Sequence, residues 1–142
     1  MDKLNTLIIK RFCGEEYYPL QNGTWSIDDN ELSVEMNFGP GTNLHEDTAY
    51  LEEEPGWNLY FNTTNITNES VKSGLILNKA NEDETYIYYC ECMSTFENRL
   101  EILERKGDKI LVKVTGECCD INYYDGSKGN DILEVTAWIS KE

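Results

Sequence analysis

Apolar and polar residues alternate along much of the chain, and the period is that of β-strands. The alternation is clearest in residues 31–38, where four apolar side chains fall on one face: Leu32, Val34, Met36 and Phe38. The preceding Asp28-Asp29-Asn30 is typical of a turn. We therefore predict a hairpin in which residues 24–27 pair with residues 31–38.

The same pattern predicts five further strands, at 57–63, 73–79, 85–93, 110–115 and 133–139. Residues 85–93, rich in Tyr and Ile, are expected to form a central strand. Asp125-Gly126 is a hairpin turn signal between the last two. Residues 98–106 fit either a short helix capped by Asn98 or a strand, and we favour the strand. The expected fold is all-β, an antiparallel two-sheet sandwich or flattened barrel of about eight or nine strands.

One long segment shows no clear alternation. Residues 39–55 contain Pro40, Gly41, five acidic residues and the only histidine, His45. Long irregular segments between strands often carry binding residues. We therefore expect a binding loop here.

Composition limits the class of protein and of partner. The 142 residues suit one acidic β domain, spanning 1–142. With 27 acidic against 12 basic residues, the net charge of -15 repels phosphate backbones and anionic lipid surfaces. We expect no binding to nucleic acid or membranes, and a basic protein as partner.

The N-terminus and the cysteines indicate the compartment. The apolar run Leu7-Ile8-Ile9 is too short for a signal peptide, and Lys10-Arg11 interrupts it. Five cysteines, an odd number with two near-adjacent pairs, make a poor disulfide framework. We therefore expect a cytoplasmic protein with reduced thiols.

Acidic residues are unevenly distributed along the chain. Residues 1–11, 12–71 and 72–142 carry net charges of +2, -12 and -5, and residues 12–71 contain no Lys or Arg. These acids are either solvated outer faces of strands or a patch for a cationic partner. The patch is favoured, because an aromatic anchor beside acids is typical of a binding hot spot. The predicted partner-binding residues are Glu46, Asp47, Glu52, Glu53, Glu54 and Trp57.

Catalytic and metal chemistry find little support. With His45 as the only histidine, in a polar segment, Ser-His or Cys-His catalysis would rest on one residue that is typical of a surface. Four cysteines form two pairs whose spacing is not that of familiar zinc sites: Cys90 and Cys92, then Cys118 and Cys119. Core thiols are the favoured interpretation and a zinc site the alternative. We predict no catalytic residue, metal or cofactor.

Three segments near the C-terminus resemble small bacterial immunity proteins, the cytoplasmic antidotes of polymorphic toxins. They are Val112–Gly116, then Asp120–Lys128 with its tyrosine pair, then a closing strand at Leu133–Ile139. The resemblance covers about a fifth of the chain and implies a non-enzymatic inhibitor that caps a toxin domain.

These observations favour a non-enzymatic cytoplasmic domain that neutralises a basic protein partner, as an immunity protein does with its toxin. Three alternatives remain open. One is an inhibitor that mimics nucleic acid and blocks a nucleic-acid-binding enzyme. The second is a β module that binds a small ligand or carbohydrate, which predicts an apolar or aromatic-lined cavity. The third is an enzyme that uses carboxylates or a thiol metal site.

Overall fold

A computed structural model of the chain describes residues 4–41, 58–79, 86–88, 95–119 and 127–142. These residues form nine strands and one short 3₁₀ turn at Asn68–Ser70. The strands are β1 (Thr6–Arg11), β2 (Gly14–Asp28), β3 (Glu31–Phe38), β4 (Asn58–Thr64), β5 (Ile76–Lys79), β6 (Tyr86–Tyr88), β7 (Phe96–Lys106), β8 (Lys109–Cys119) and β9 (Asn130–Lys141). The all-β prediction is confirmed.

The predicted hairpin of β2 and β3 is present with the expected faces. Leu32, Val34 and Met36 are buried, while the alternate side chains point outward. The turn is made by Asp29 and Asn30, both at positive φ, 55° and 62°. Two successive residues in this left-handed region suit a tight hairpin whose twist matches that of its strands. Short polar residues tolerate that conformation best.

Two predictions about single segments have different outcomes. Residues 98–106 belong to strand β7, which confirms the strand over the helix. The prediction of a central strand at 85–93 is wrong for the part described, because β6 lies at the end of the strand order and pairs only with β4. Propensity alone does not rank strands by position in a sheet. The Asp125-Gly126 turn lies outside the described residues.

The strands form one sheet in the order β5-β7-β8-β9-β1-β2-β3-β4-β6. The predicted division into two sheets is not confirmed, since the described strands make a single, strongly curled half-barrel. Chain connectivity explains the curl. The edge strands β5 and β6 are joined by residues 80–85, a link that spans at most about 25 Å. Nine flat strands would measure about 38 Å across.

The N-terminal strand β1 was not predicted, and it lies in the middle of the sheet. It pairs antiparallel with β2 on one side and with β9 on the other. Because β1 is short, β2 and β9 meet directly beyond it, in parallel, at Thr24↔Ser140 and Trp25↔Lys141. The first two thirds of β2, residues 14–23, were not predicted either.

The core lies on the concave face, and one end of it is built on Trp25. This side chain is 0% exposed, and its Nε1 donates a hydrogen bond to the carbonyl oxygen of Asp108 at 2.9 Å. Arg105 and Lys141 place their cationic groups 5.0 and 5.3 Å from the ring centroid. We call this the tryptophan end. The opposite end, where β1 ends and β2 begins, we call the polar end.

Among the described residues the only helical element is the 3₁₀ turn, so this part of the chain has no helix long and apolar enough to cross a bilayer.

Candidate functional site

The strands formed by the segment without Lys or Arg, residues 12–71, lie side by side in one part of the sheet. Strands β2, β3 and β4 are neighbours in space as well as in sequence, and none carries Lys or Arg. We call these three strands the base-free half. Elsewhere in the sheet, described basic side chains lie on β1, β7, β8 and β9. We call these four strands the charge-paired half.

In the charge-paired half, acids and bases neutralise one another on the outer face. Glu134 bridges Lys10 and Lys113, with nitrogen–oxygen distances of 3.4 and 3.3 Å. A separate ion pair joins Arg99 Nη1 to Glu101 Oε1 at 3.3 Å. Together these pairs leave little net field on this face.

The bridging position changes the acidity of Glu134. Partial burial raises the pKa of this carboxyl. The hydrogen bond from Lys113 and the charges of Lys10 and Lys113 oppose that effect, and the net result is a pKa below the ordinary value of 4.5. The charged form is therefore the one that this half of the sheet stabilises.

Four exposed carboxylates around the β2–β3 hairpin of the base-free half have no such compensation from described residues. Asp28, Asp29, Glu31 and Glu35 are exposed, and none of them forms an ion pair with a described residue. Glu31 and Glu35 project from the same outer face of β3. The outer face of this half therefore carries a negative potential that its own strands do not offset.

Between these carboxylates the outer face is polar and held by hydrogen bonds. Asn62 donates from Nδ2 to Ser33 Oγ at 3.0 Å, and Ser33 Oγ lies 3.4 Å from the Tyr60 hydroxyl. Further along β3, Asn37 donates to Asn22 Oδ1 at 2.8 Å. These cross-strand bonds give the surface a fixed shape.

The predicted partner-binding residues fall outside the described residues: Glu46, Asp47, Glu52, Glu53, Glu54 and Trp57. Their place in the chain is nonetheless set by two described strands. Residues 42–57 lie between Gly41, just after β3, and Asn58, the first residue of β4. Both strand ends belong to the base-free half, so the predicted residues are covalently attached to that half.

A buried ion pair joins the two halves, and sequence reasoning missed it. Arg11 of β1 and Glu16 of β2 have side chains that are 0% exposed, with Nη1 and Oε2 3.2 Å apart. The other oxygen of Glu16 accepts a hydrogen bond from the Tyr18 hydroxyl at 3.0 Å. The signal was present: Leu7, Ile9 and Arg11 alternate inward, and an acid follows across a short turn.

Register places further polar groups in one inward row at the polar end. Cys118 pairs with Asp131, and both are buried. Thr95 precedes β7 close to Gly116 of β8, is only 3% exposed, and its hydroxyl has no hydrogen-bond partner among the described residues. The concave face thus changes from apolar at the tryptophan end to polar at the other.

The cysteines are only partly described. Cys118 is a buried thiol and Cys13 an exposed one, whereas Cys90 and Cys92 lie outside the described residues. Within the described part of the chain, no three His, Cys, Asp or Glu side chains converge as metal ligands would. The zinc alternative therefore stays a prediction about residues not described.

Comparison of the chain with protein-family models, with curated proteins and with solved structures finds no match.

Proposed function

We propose that this protein is a non-enzymatic binding domain that neutralises a basic protein partner through its base-free half. The observation that supports it is the contrast between the two halves. Asp28, Glu31 and Glu35 form no ion pair with a described residue, whereas Glu134 and Glu101 of the other half are matched by bases. An uncompensated surface of one sign attracts the opposite sign, increases the association rate and disfavours acidic competitors.

The biological role we propose is that of a cytoplasmic immunity protein, which binds and inhibits a cognate bacterial toxin. This role rests on the resemblance of residues 112–139 and on the acidity of the chain, since a basic toxin would be attracted to the base-free half. The acids of residues 46–54, with Trp57, lie in the segment between β3 and β4, and we propose that they belong to the same binding surface.

Carboxylate spacing favours a protein partner over mimicry of nucleic acid. On β3 the outward position between Glu31 and Glu35 is Ser33, so these two acids are four residues apart, about 13 Å along a strand. Each strand of duplex DNA carries a charge every 3.4 Å or so of helix axis. A sparse arrangement suits a few individual basic side chains better than it imitates a phosphate backbone.

The test is a capture experiment followed by matched charge reversal. The immobilised protein is exposed to lysate of its source cells at low ionic strength, and a salt gradient elutes what it retains. The protein retained beyond the bulk is then purified, and its affinity is measured for the wild type and two double variants. Glu31→Lys with Glu35→Lys changes the base-free half. Glu97→Lys with Glu104→Lys makes the same charge change elsewhere.

We expect the first pair to weaken binding at least tenfold and to reduce its salt dependence, because both contacts and field are lost. The control pair should alter affinity by less than about threefold. Equal effects of the two pairs would reduce the acidity to a general solubilising charge and contradict the proposal. Inhibition of the captured protein's activity then tests the immunity role.

A further inference from the structure

We infer that the outer face around Glu35 binds an arginine side chain of the basic partner in preference to lysine. This inference rests on the proposed function, because it specifies which basic residue the base-free half recognises. It concerns Glu35 and its immediate neighbours on β2, β3 and β4.

Among the described residues, Glu35 is the only charged one within its set of nearest neighbours on the sheet. In register it lies between Thr24 of β2 and Tyr60 of β4. Along β3 the nearest outward residues are Ser33 and Asn37. All four neighbours are uncharged and polar, so a cation that reaches this point meets one exposed carboxylate surrounded by hydrogen-bonding groups.

The aromatic neighbour distinguishes this carboxylate from the other acids of the half. Directly opposite residues on adjacent antiparallel strands have Cβ atoms about 5 Å apart. Tyr60, a half-buried residue, therefore has its Cβ next to that of Glu35, which places an aromatic residue directly opposite this carboxylate. Glu31, in contrast, lies opposite Asp28 and Thr64, which supply no ring.

The Tyr60 side chain is also positioned in advance. Its hydroxyl lies within hydrogen-bond distance of Ser33 Oγ, which in turn accepts from Asn62, a residue only 6% exposed. A ring held in this way loses little freedom when a ligand stacks against it.

These neighbours match a guanidinium better than an ammonium. A guanidinium is planar, can bond both oxygens of a carboxylate and stacks on an aromatic face with little loss of hydration. An ammonium is a compact and strongly hydrated charge that gains less from the ring. The field of the base-free half attracts either cation, and the Glu35–Tyr60 pair adds the preference for arginine.

The test uses the full-length protein and two synthetic probes, hexa-arginine and hexa-lysine peptides with blocked termini. Their dissociation constants are measured by calorimetry at low ionic strength. Because any acidic surface can show a generic bias between these peptides, the readout is the ratio of the two constants in the wild type relative to that in each variant. Near-ultraviolet circular dichroism confirms that each variant is folded.

We expect the ratio of the lysine-peptide to the arginine-peptide dissociation constant to be about three- to fivefold larger in the wild type than in the Tyr60→Leu variant. Tyr60→Phe, which keeps a ring, should retain most of that preference. Glu35→Gln should weaken both peptides and reduce the ratio, whereas Glu97→Gln, the same charge change on β7, should leave the ratio unchanged. If Tyr60→Leu does not fold, Thr24→Lys places an ammonium beside Glu35 and should reduce the ratio without touching the core.

The two proposals fail in different ways. A ratio that is the same in wild type, Tyr60→Leu, Glu35→Gln and Thr24→Lys overturns the arginine preference. If the Glu31→Lys, Glu35→Lys pair still weakens binding of both peptides in that case, the base-free half remains a surface for basic partners. If that pair and the Glu97→Lys, Glu104→Lys pair have equal effects, the surface proposal and the arginine preference are both overturned.

Discussion

The two halves of the sheet solve the problem of surface charge in opposite ways. In the charge-paired half, Glu134 forms ion pairs with Lys10 and Lys113, so that the three charged side chains together have a net charge of only +1. In the base-free half, Glu31 and Glu35 face solvent, and neither β3 nor its neighbours β2 and β4 carry Lys or Arg. The first arrangement contributes slightly to stability. The second contributes nothing to stability, and its value would come from a partner.

The two halves are joined by contacts that β1, β7 and β9 make to β2. At the polar end the contact is the buried pair of Arg11 and Glu16. At the tryptophan end, Trp25 of β2 accepts its cationic neighbours from β7 and β9. Stability is therefore expected to be most sensitive at these junctions and least sensitive on the base-free face.

The largest effect is expected from Arg11→Ala. Removing the guanidinium leaves the Glu16 carboxylate buried without its cation, and breaking a buried pair in this way costs about 3–5 kcal/mol. Urea denaturation measures the free energy of unfolding. Lys10→Ala, one residue away in an exposed ion pair, serves as the control and should cost no more than about 1 kcal/mol. Similar losses for the two variants would show that the junction is not held by this pair.

A smaller effect is expected from Trp25→Phe. The change removes the Nε1 hydrogen bond to Asp108, leaves that carbonyl with its bond from the Lys141 amide and empties part of the ring volume. We expect a loss of about 1–3 kcal/mol, from thermal or urea unfolding. Trp138→Phe, a half-buried tryptophan on the outer face of β9, should cost less than about 1 kcal/mol. The idea that Trp25 secures this end fails if Trp138 proves the more important ring.

The smallest effect separates the two outer faces directly. Glu134→Gln removes a carboxylate shared by two lysines and should cost about 0.5–1 kcal/mol. Glu35→Gln makes the same chemical change in the base-free half and should be neutral or slightly stabilising, because it only reduces repulsion among acids. Unfolding at low and high salt measures the difference, which should shrink as salt screens the pairs.

Acidity gives an independent check on Glu134. Its pKa in the folded protein is lowered below 4.5, so its stabilising contribution is present above that ordinary value and is lost as pH falls through the lowered pKa. The stability gap between wild type and Glu134→Gln should therefore close in acid. A gap that persists well below the folded pKa would mean that the variant disturbs packing rather than charge.

The strands that sequence predicted well are those in which every indicator agreed. In β3 the apolar residues alternate without exception, the outward residues are polar and a turn precedes them. Strand β1 was missed because Lys10 and Arg11 follow its apolar residues, and charged side chains are ordinarily taken to be exposed. Only the inward partner Glu16, across a turn, shows that Arg11 continues the buried face.

The charge segregation was predictable for a topological reason. Strands β2, β3 and β4 form consecutive antiparallel hairpins, so a base-free stretch of sequence stays together as a base-free area of surface. The compensation in the other half was not predictable. Lys10 meets Glu134 only because the two terminal strands are neighbours, and that pairing depends on register rather than on local sequence.

The central place of β1 also has a consequence for the order of folding events. Its partner β2 follows directly in the chain, but its other partner β9 is the last strand, and Thr6 pairs with Thr136. During synthesis the β1–β2 hairpin can form early, yet one edge of β1 must wait unpaired until β9 has been made. Pairings between such distant segments close large loops and slow folding. A nascent chain with this open edge is where misassembly, or binding of a chaperone, would be concentrated.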